Sequence, residues 1–276
     1  MRELTLREIQ IESLNILLEF DKICQKHGIK YMLAFGTLIG AARHKGFIPG
    51  DDDLDIWMKR EDFDRFVELY ENDSSISPYK LCTRNNTVNY FIDIPRFSNM
   101  NFSYVTENPY EKPWDCGAFI DLYPVDCCGN SEEDKKGKIE LMNISKLYFT
   151  YMGISSPNPL IRMFKNVLHS FLKNIPKEKM IKYVNRKYEK VLNDMKKRSQ
   201  GTSAALFDST VIRPVNNEWL DDLIPMEFEG HMFPVPREYD KILTLYYRDY
   251  MTLPSEDKRV PHHAYKIYAK DLNKEE

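Results

Sequence analysis

The residues with the clearest chemistry are four aspartates within a span of five positions: Asp51, Asp52, Asp53 and Asp55. On a strand, alternate residues share a face, so the three odd-numbered aspartates are predicted to project together while the apolar residues beside them enter the core. Carboxylates this close repel and raise one another's pKa, and a divalent cation would neutralise them. An all-oxygen set indicates Mg²⁺ or Mn²⁺ rather than zinc. A solvated acidic loop is the alternative; an EF-hand is disfavoured because its ligand spacing is missing.

A second chemical signal is the pair Gly36-Thr37, which stands between a short apolar run and a helical pattern. A helix start presents free backbone N–H groups and the positive end of the helix dipole, which together bind phosphate. A plain helix cap is the alternative. Three basic residues then lead into the acidic cluster: Arg43, His44 and Lys45. This order predicts a phosphate site next to a metal site.

Asp121 is an acidic residue inside the apolar strand pattern Ala118–Tyr123. A carboxylate there is costly unless it is paired or bound to a metal. We therefore expect a further metal ligand or the base for an acceptor hydroxyl, with a strand-end aspartate on the solvent face as the alternative. Arg96 follows Pro95 in another strand pattern and is expected either to contact a donor phosphate or to be a surface arginine.

Hydrophobic periodicity indicates the elements that must position these residues. Helices are predicted over residues 5–27, 38–43, 61–70 and 237–250, and about three more between 131 and 200, where prolines interrupt the pattern. Strands are predicted over residues 31–35, 53–58, 90–97, 101–106 and 118–123, with a hairpin over 227–235 around Gly230. The order favours an α+β or α/β core with a helical second part.

The composition is that of an ordinary globular protein, since 42% of the 276 residues are hydrophobic and 29% are charged. This excludes wholesale disorder. The net charge of -3 argues against a dedicated nucleic-acid binder. The stretch 162–198 is nevertheless basic, with 12 Lys/Arg against 3 Asp/Glu. It fits a solvated helical face, contact with an anionic membrane leaflet, or an anionic acceptor.

The cysteines and the start of the sequence bear on the cellular compartment. Five cysteines lack a CxxC spacing and no HExxH spacing occurs, so a zinc site is not indicated. The charged start MRELTLREIQ does not resemble a signal peptide, and no stretch approaches the roughly 20 apolar residues of a membrane span. We therefore expect a cytoplasmic chain.

Residues 35–66 read FGTLIGAARHKGFIPGDDDLDIWMKREDFDRF and resemble the LicD family. That family includes phosphocholine transferases of bacterial surface polysaccharides and fukutin-like ribitol-phosphate transferases. Its pattern is a GTLLGA-type turn, then RH-GFIP, then DDD-apolar-D, which residues 36–41, 43–49 and 51–55 fill; Gly50 stands where the family usually has Trp. Weaker similarity extends to FIDLYPVD at 119–126, to residues 228–254, and to Arg259 with His262-His263.

The resemblance implies an α+β fold with a nucleotidyltransferase-like mixed sheet core, and a two-substrate transfer. A CDP- or CMP-activated phospho-alcohol, with phosphocholine as first choice, would donate its phosphoryl-alcohol group to a sugar hydroxyl and release CMP. The acceptor would be a cell-surface polysaccharide or teichoic-acid precursor, including lipid-linked forms at the inner face of the cell membrane. Glycerol phosphate, ribitol phosphate, phosphoethanolamine and a phosphonate stay open as donor groups.

The resemblance also implies roles for individual residues. Two ions, Mg²⁺ or Mn²⁺, would be held by Asp51, Asp53, Asp55 and Asp121, and the last three are the expected catalytic residues. Substrate-binding roles fall on Gly36, Thr37, Arg43, His44, Lys45, Arg96 and His262. For a trimethylammonium group, cation–π contacts make candidate walls of Trp57, Tyr104, Tyr110, Trp114 and Tyr123. Core packing is the alternative for each ring.

Three parts of the chain are expected. Residues 1–130 would form the catalytic core, 131–210 a basic helical region that serves as an acceptor or membrane surface, and 211–276 a hairpin and helix that complete the core. Two other functions stay open: a nucleotidyltransferase that attaches NMP to a sugar or protein, and a non-catalytic nucleotide-binding module. The products distinguish them, because the first leaves NMP on the acceptor and the second leaves the donor uncleaved.

Overall fold

The computed structural model describes residues 1–109, 113–207, 211–253 and 265–270. Within these residues the helices are α1 (Leu6–His27), α2 (Phe35–His44), α3 (Arg60–Tyr70), α4 (Glu132–Met152), α5 (Pro159–Leu172), α6 (Lys177–Arg198), α7 (Asn217–Asp221) and α8 (Tyr239–Tyr247). The strands are β1 (Arg2–Glu3), β2 (Met32–Leu33), β3 (Asp55–Lys59), β4 (Tyr79–Cys82), β5 (Arg96–Asn99), β6 (Phe102–Thr106), β7 (Ala118–Cys127), β8 (Thr202–Ala205), β9 (Val215–Asn216), β10 (Leu223–Phe228), β11 (His231–Pro236) and β12 (Tyr265–Ala269).

The central sheet has the strand order β2-β3-β7-β5-β4, with β8 against the far half of β7 and β9 beyond it. Its middle strand, β7, runs parallel to β3 and antiparallel to β5 and β8. Most of its ten residues are buried, because helices and loops cover both faces of the sheet. This mixed sheet with flanking helices confirms the predicted α+β class.

Two smaller sheets complete the described chain. Strand β12 pairs with β1 on one side and β6 on the other, all antiparallel, so it joins both chain ends to the core. Strands β10 and β11 form the predicted hairpin. Its turn places Gly230 at φ +77°, a conformation that glycine adopts without a steric penalty.

Helix α1 shows why the predicted helix over 5–27 is correct. Thr5 and Glu8 form a capping box at its start, and Gly28 ends it in the left-handed conformation at φ +60°. Its buried face includes Phe20, whose ring lies 5.8 Å from that of Phe97 on β5. The helix therefore covers the face of the central sheet that carries Phe97.

Other boundaries differ from the predictions. Strand β3 begins only at Asp55, so Asp51 and Asp53 lie in the preceding loop instead of alternating along the strand. Phe35 starts α2 instead of ending a strand. The predicted strand over 90–97 is confined to its last two residues because the loop around Pro95 precedes β5. Three helices lie between 131 and 200 as predicted, while β8 belongs to the central sheet.

Candidate active site

Asp55, Asp121 and Arg96 form a row across three neighbouring strands. Asp55 is the register partner of Asp121 in the parallel pair β3/β7, and Asp121 is the register partner of Arg96 in the antiparallel pair β7/β5. Residues at matched register project from the same face of a sheet. Asp53, in the loop before β3, joins them: carboxylate oxygens of Asp53, Asp55 and Asp121 all lie within 4.8 Å of one another.

The acidic loop brings a second group of carboxylates to the same place. Oxygens of Asp51, Asp52 and Asp53 also lie within 4.8 Å of one another. The loop is held through its backbone, since Gln10 Nε2 donates to the Asp51 carbonyl at 2.8 Å and the Tyr265 hydroxyl donates to the Asp52 carbonyl at 3.1 Å. Helix α1 and strand β12 thus fix the loop that supplies the carboxylates.

Asp55 is electrostatically unfavourable in the absence of a cation. Burial raises its pKa well above the ordinary value, and the negative charges of Asp53, Asp121 and Asp51 raise it further, while Arg96 opposes them. Within the described residues, its Oδ1 atom is buried and has no hydrogen-bond partner. A buried carboxylate oxygen of this kind is costly, and a bound cation would satisfy it. The all-oxygen donor set fits Mg²⁺ or Mn²⁺.

The start of α2 lies against these carboxylates. The Asp55 backbone N–H donates to Thr37 Oγ1 at 2.8 Å, and the Ala34 N–H donates to the Asp55 carbonyl at 3.0 Å. A Cβ atom added to Gly36 would lie 3.0 Å from Asp51 Oδ2. The structure therefore brings the predicted phosphate-binding helix start and the acidic cluster together, and phosphate binding by Gly36 and Thr37 stays a prediction.

Arg43, His44 and Lys45 lie at the other end of α2, about 10 Å along the helix axis from Gly36. Arg43 Nε donates to His44 Nε2 at 3.0 Å, and Arg43 Nη1 donates to the Tyr250 carbonyl. Lys45 Nζ lies 3.1 Å from a carboxylate oxygen of Glu227 on the hairpin. The structure thus places these three residues at the opposite end of α2 from Gly36, and their predicted contact with phosphate stays a prediction.

Arg96 is the partner of Asp121 and is enclosed by rings. Its Nε donates to Asp121 Oδ1 at 2.8 Å. The guanidinium carbon lies 3.5 Å from the ring centre of Phe119, 4.9 Å from that of Trp114 and 5.3 Å from that of Tyr104. Two of the predicted aromatic walls, Tyr104 and Trp114, therefore surround a cation of the protein itself. Arg96 orients a site carboxylate, and its predicted phosphate contact stays a prediction.

A second aromatic group extends the row of carboxylates. Trp57 and Tyr123 are register partners two residues beyond Asp55 and Asp121, so they project from the same face of the sheet. Phe35 lies 5.1 Å from both rings, and Tyr246 of α8 lies 5.5 Å from Trp57. Trp57 is buried, and the other three are half-buried. We call these four residues the aromatic cluster.

The sequence points to half of this cluster. Trp57 and Tyr123 are among the predicted walls, whereas Phe35 falls in a predicted strand and Tyr246 carries no signal beyond helical periodicity. The pKa of Tyr123 is raised by burial and by the charges of Asp55, Asp121 and Asp53, which reflects how near its hydroxyl lies to these carboxylates. Among the other predictions, Tyr110, Arg259, His262 and His263 fall outside the described residues.

A cavity of about 540 Å³ lies on the opposite side of the central sheet. It is lined by residues of α3, α6 and the end of β7, including Arg60 and Asp126, which form a bidentate ion pair at 2.7 and 2.8 Å. Asp126 and Asp121 are an odd number of residues apart on one strand and therefore face opposite ways. This cavity is therefore separate from the cluster of carboxylates around Asp121.

Comparison with known proteins shows which protein family the segment around the site matches. Residues 28–126, which hold α2, the acidic loop, Arg96 and Asp121, match the family model described as LicD/FKTN/FKRP, nucleotidyltransferase domain. This match confirms the resemblance to the LicD family seen in the motifs.

The similarity to one relative extends over nearly the whole chain. The lipopolysaccharide cholinephosphotransferase LicD of Haemophilus influenzae is 28% identical over 277 residues, covering 97% of this chain and 99% of the relative. Two uncharacterized proteins match over short segments: one of Rickettsia typhi is 43% identical over 54 residues, and one of Rickettsia prowazekii is 47% identical over 47 residues. These segments cover 20% and 17% of this chain, and 18% of each relative.

Proposed function

We propose that this protein transfers phosphocholine from CDP-choline to a hydroxyl of a cell-surface glycan and releases CMP. The observation that carries the proposal is the convergence of Asp53, Asp55 and Asp121 beside the start of α2. The full-length similarity to a lipopolysaccharide cholinephosphotransferase supports the choice of phosphocholine and of a glycan acceptor.

The carboxylates are the proposed metal ligands. Asp53, Asp55 and Asp121 would hold one Mg²⁺ or Mn²⁺, and Asp51 with Asp53 would hold a second, consistent with the two groups of oxygens. Bound there, such ions would neutralise the donor diphosphate and favour displacement at phosphorus. The buried, unpaired Asp55 Oδ1 among the described residues supports this role.

The helix start supplies the complementary contact to the donor. The first backbone N–H groups of α2 have no partner within the helix and point toward its amino end, where a phosphate oxygen is stabilised. Gly36 leaves room there because a side chain would crowd the Asp51 carboxylate. Thr37 holds the backbone of Asp55 through its hydroxyl, so the phosphate and metal sites are built as one unit.

The proposed reaction is a direct displacement. The acceptor hydroxyl oxygen forms a bond to the phosphocholine phosphorus, and the bond from that phosphorus to the bridging oxygen breaks, so CMP leaves with the bridging oxygen. The hydroxyl proton passes to a site carboxylate, for which Asp121 is the candidate. Arg96 keeps Asp121 in place through the 2.8 Å hydrogen bond.

The aromatic cluster supports choline as the transferred alcohol. Trp57 and Tyr123 lie two residues, or about 6.6 Å, beyond the carboxylates along their strands. An ethylene bridge also places the trimethylammonium group several ångström from the phosphoryl group. Aromatic faces attract such a cation, whereas uncharged glycerol or ribitol would gain nothing from them. Phe35 and Tyr246 pack against these rings and hold them in place.

The proposal is tested by product analysis. The chain is incubated with Mg²⁺, a glycan acceptor and, in separate reactions, CDP-choline, CDP-ethanolamine, CDP-glycerol or CDP-ribitol. We expect CMP release to be fastest with CDP-choline and choline phosphate to appear on the glycan. NMP on the acceptor would contradict the proposal and favour a nucleotidyltransferase, while binding of an intact donor without turnover would favour a binding module.

A further inference from the structure

Helix α5 exposes its apolar residues. Phe164 is 68% exposed and Phe171 is 71% exposed. Leu160 and Val167 are also exposed, and the spacing of these four residues places them on one stripe of the helix. In a surface helix of a globular domain, such a stripe normally faces the core.

The inward side of α5 makes contacts that fix this orientation. Lys165 Nζ donates to the carbonyls of Ile154 and Ser155 at 3.2 and 3.4 Å. His169 Nδ1 lies 3.1 Å from the carbonyls of both Thr150 and Tyr151, at the end of α4. Leu172, on the same side of the helix, packs against the core. Turning the apolar stripe inward would break these contacts, so its exposure is built into the fold.

The charge around α5 identifies the kind of surface that would cover it. The stretch from Arg162 to Arg198 carries a charge of +9, in a chain whose net charge is -3, and nine of its twelve basic residues belong to α6, the next helix along the chain. Exposed lysines stand just after α5, at Lys173, and near the start of α6, at Lys179. An apolar stripe flanked by cations is the pattern of a helix that lies in the interface of an anionic bilayer. A second copy of the chain would instead bring two strongly positive surfaces together.

We propose that α5 docks on an anionic phospholipid bilayer, with its axis parallel to the membrane plane and Phe164 and Phe171 inserted between the lipids. The helix has 14 residues, too few to span a bilayer. None of the helices in the described part of the chain combines the length and hydropathy of a membrane span. This inference concerns where the protein binds and does not depend on the reaction proposed above.

The test is co-sedimentation of the full chain with vesicles of phosphatidylcholine alone or mixed with phosphatidylglycerol. We expect binding to the mixed vesicles, weaker binding at high salt, and little binding to phosphatidylcholine alone. The double variant Phe164→Asp/Phe171→Asp should lower the bound fraction about tenfold or more. The matched control is Val88→Asp, which changes a residue with the same 68% exposure outside the helix and should bind as the parent does.

Three results would overturn the proposal. The first is equal sedimentation of the double variant and the parent, and the second is no binding of the parent to anionic vesicles. The third is a dimer in light scattering that the double variant converts to a monomer, because α5 would then be a contact between copies. Circular dichroism of each variant confirms that it folds, as expected for substitutions at exposed positions.

Discussion

Asp55 and Asp121 face each other across the parallel strands β3 and β7, each 8% exposed, with a third carboxylate from Asp53 within reach of both. Two buried carboxylates at matched register destabilise a sheet unless something neutralises them. Arg96 neutralises Asp121 from the next strand. Asp55 is left as the residue that a cation would stabilise.

Asp55→Asn is predicted to separate stability from activity. The amide lacks the negative charge, so without metal the variant should be more stable than the parent by about 1–3 kcal/mol. With Mg²⁺ present, the parent should gain more stability than the variant, whose activity should fall at least about a hundredfold. Urea unfolding with and without EDTA measures the two stability differences, and CMP release measures the activity. A variant that retains parental turnover would show that Asp55 is not a metal ligand.

The pH dependence of metal-free stability follows from the raised pKa of Asp55. A carboxyl group with a raised pKa in the folded state binds its proton more tightly when folded than when unfolded. Its destabilising effect is therefore present at neutral pH and is relieved as the pH falls through the folded-state pKa. The stability advantage of Asp55→Asn in EDTA should shrink from about pH 7 to pH 5. A constant difference would contradict the burial of a charged Asp55.

Arg96→Lys tests the positioning of Asp121. Lysine keeps a positive charge but loses the planar group that lies over Phe119 and the Nε hydrogen bond. We expect kcat to fall about 10- to 100-fold, as for residues that orient a ligand, with little change in KM for the donor. Arg65→Lys is the control, because Arg65 is a half-exposed arginine on α3 with an ion pair to Asp62. A large rise in KM with unchanged kcat would instead favour direct contact with the donor phosphate.

The aromatic cluster predicts that changing Tyr123 alters the specificity for the donor. Tyr123→Leu should raise KM for CDP-choline about 3- to 30-fold, because one cation–π contact is lost, and should leave the weaker reaction with CDP-glycerol unchanged. Tyr123→Phe keeps the ring and serves as the matched control. Equal losses for both donors in the leucine variant would show that Tyr123 supports the fold instead of recognising the head group.

The sequence was sufficient for what depends on local order. Apolar periodicity over residues 5–27, ending before Gly28, predicts α1, and the acidic run marks the candidate site. The predicted role of Lys45 at the phosphate stays a prediction; its ion pair with Glu227 of the hairpin depends on long-range packing that local order does not encode. The Arg96–Asp121 pair joins residues 25 positions apart through sheet pairing, which periodicity does not encode.

Helix α5 shows another limit of sequence patterns. Periodicity reveals that apolar residues such as Phe164 and Phe171 share one stripe, but it does not tell which way the stripe faces. That choice is made by Lys165 and His169, whose partners are backbone carbonyls at the end of α4 and just beyond it. Every residue has a backbone carbonyl, so a pattern of side chains does not predict which carbonyls will accept these hydrogen bonds.

The bond from Tyr265 to the acidic loop has a practical consequence for engineering. Strand β12 grips the amino-terminal strand β1 through backbone pairing and, through the Tyr265 hydroxyl, the carbonyl of Asp52. A shortened version that stops before residue 265 would free both at once. We expect such a trimmed protein to be a poor catalyst even though every aspartate of the site would be intact, so minimal versions should be designed by removing internal loops.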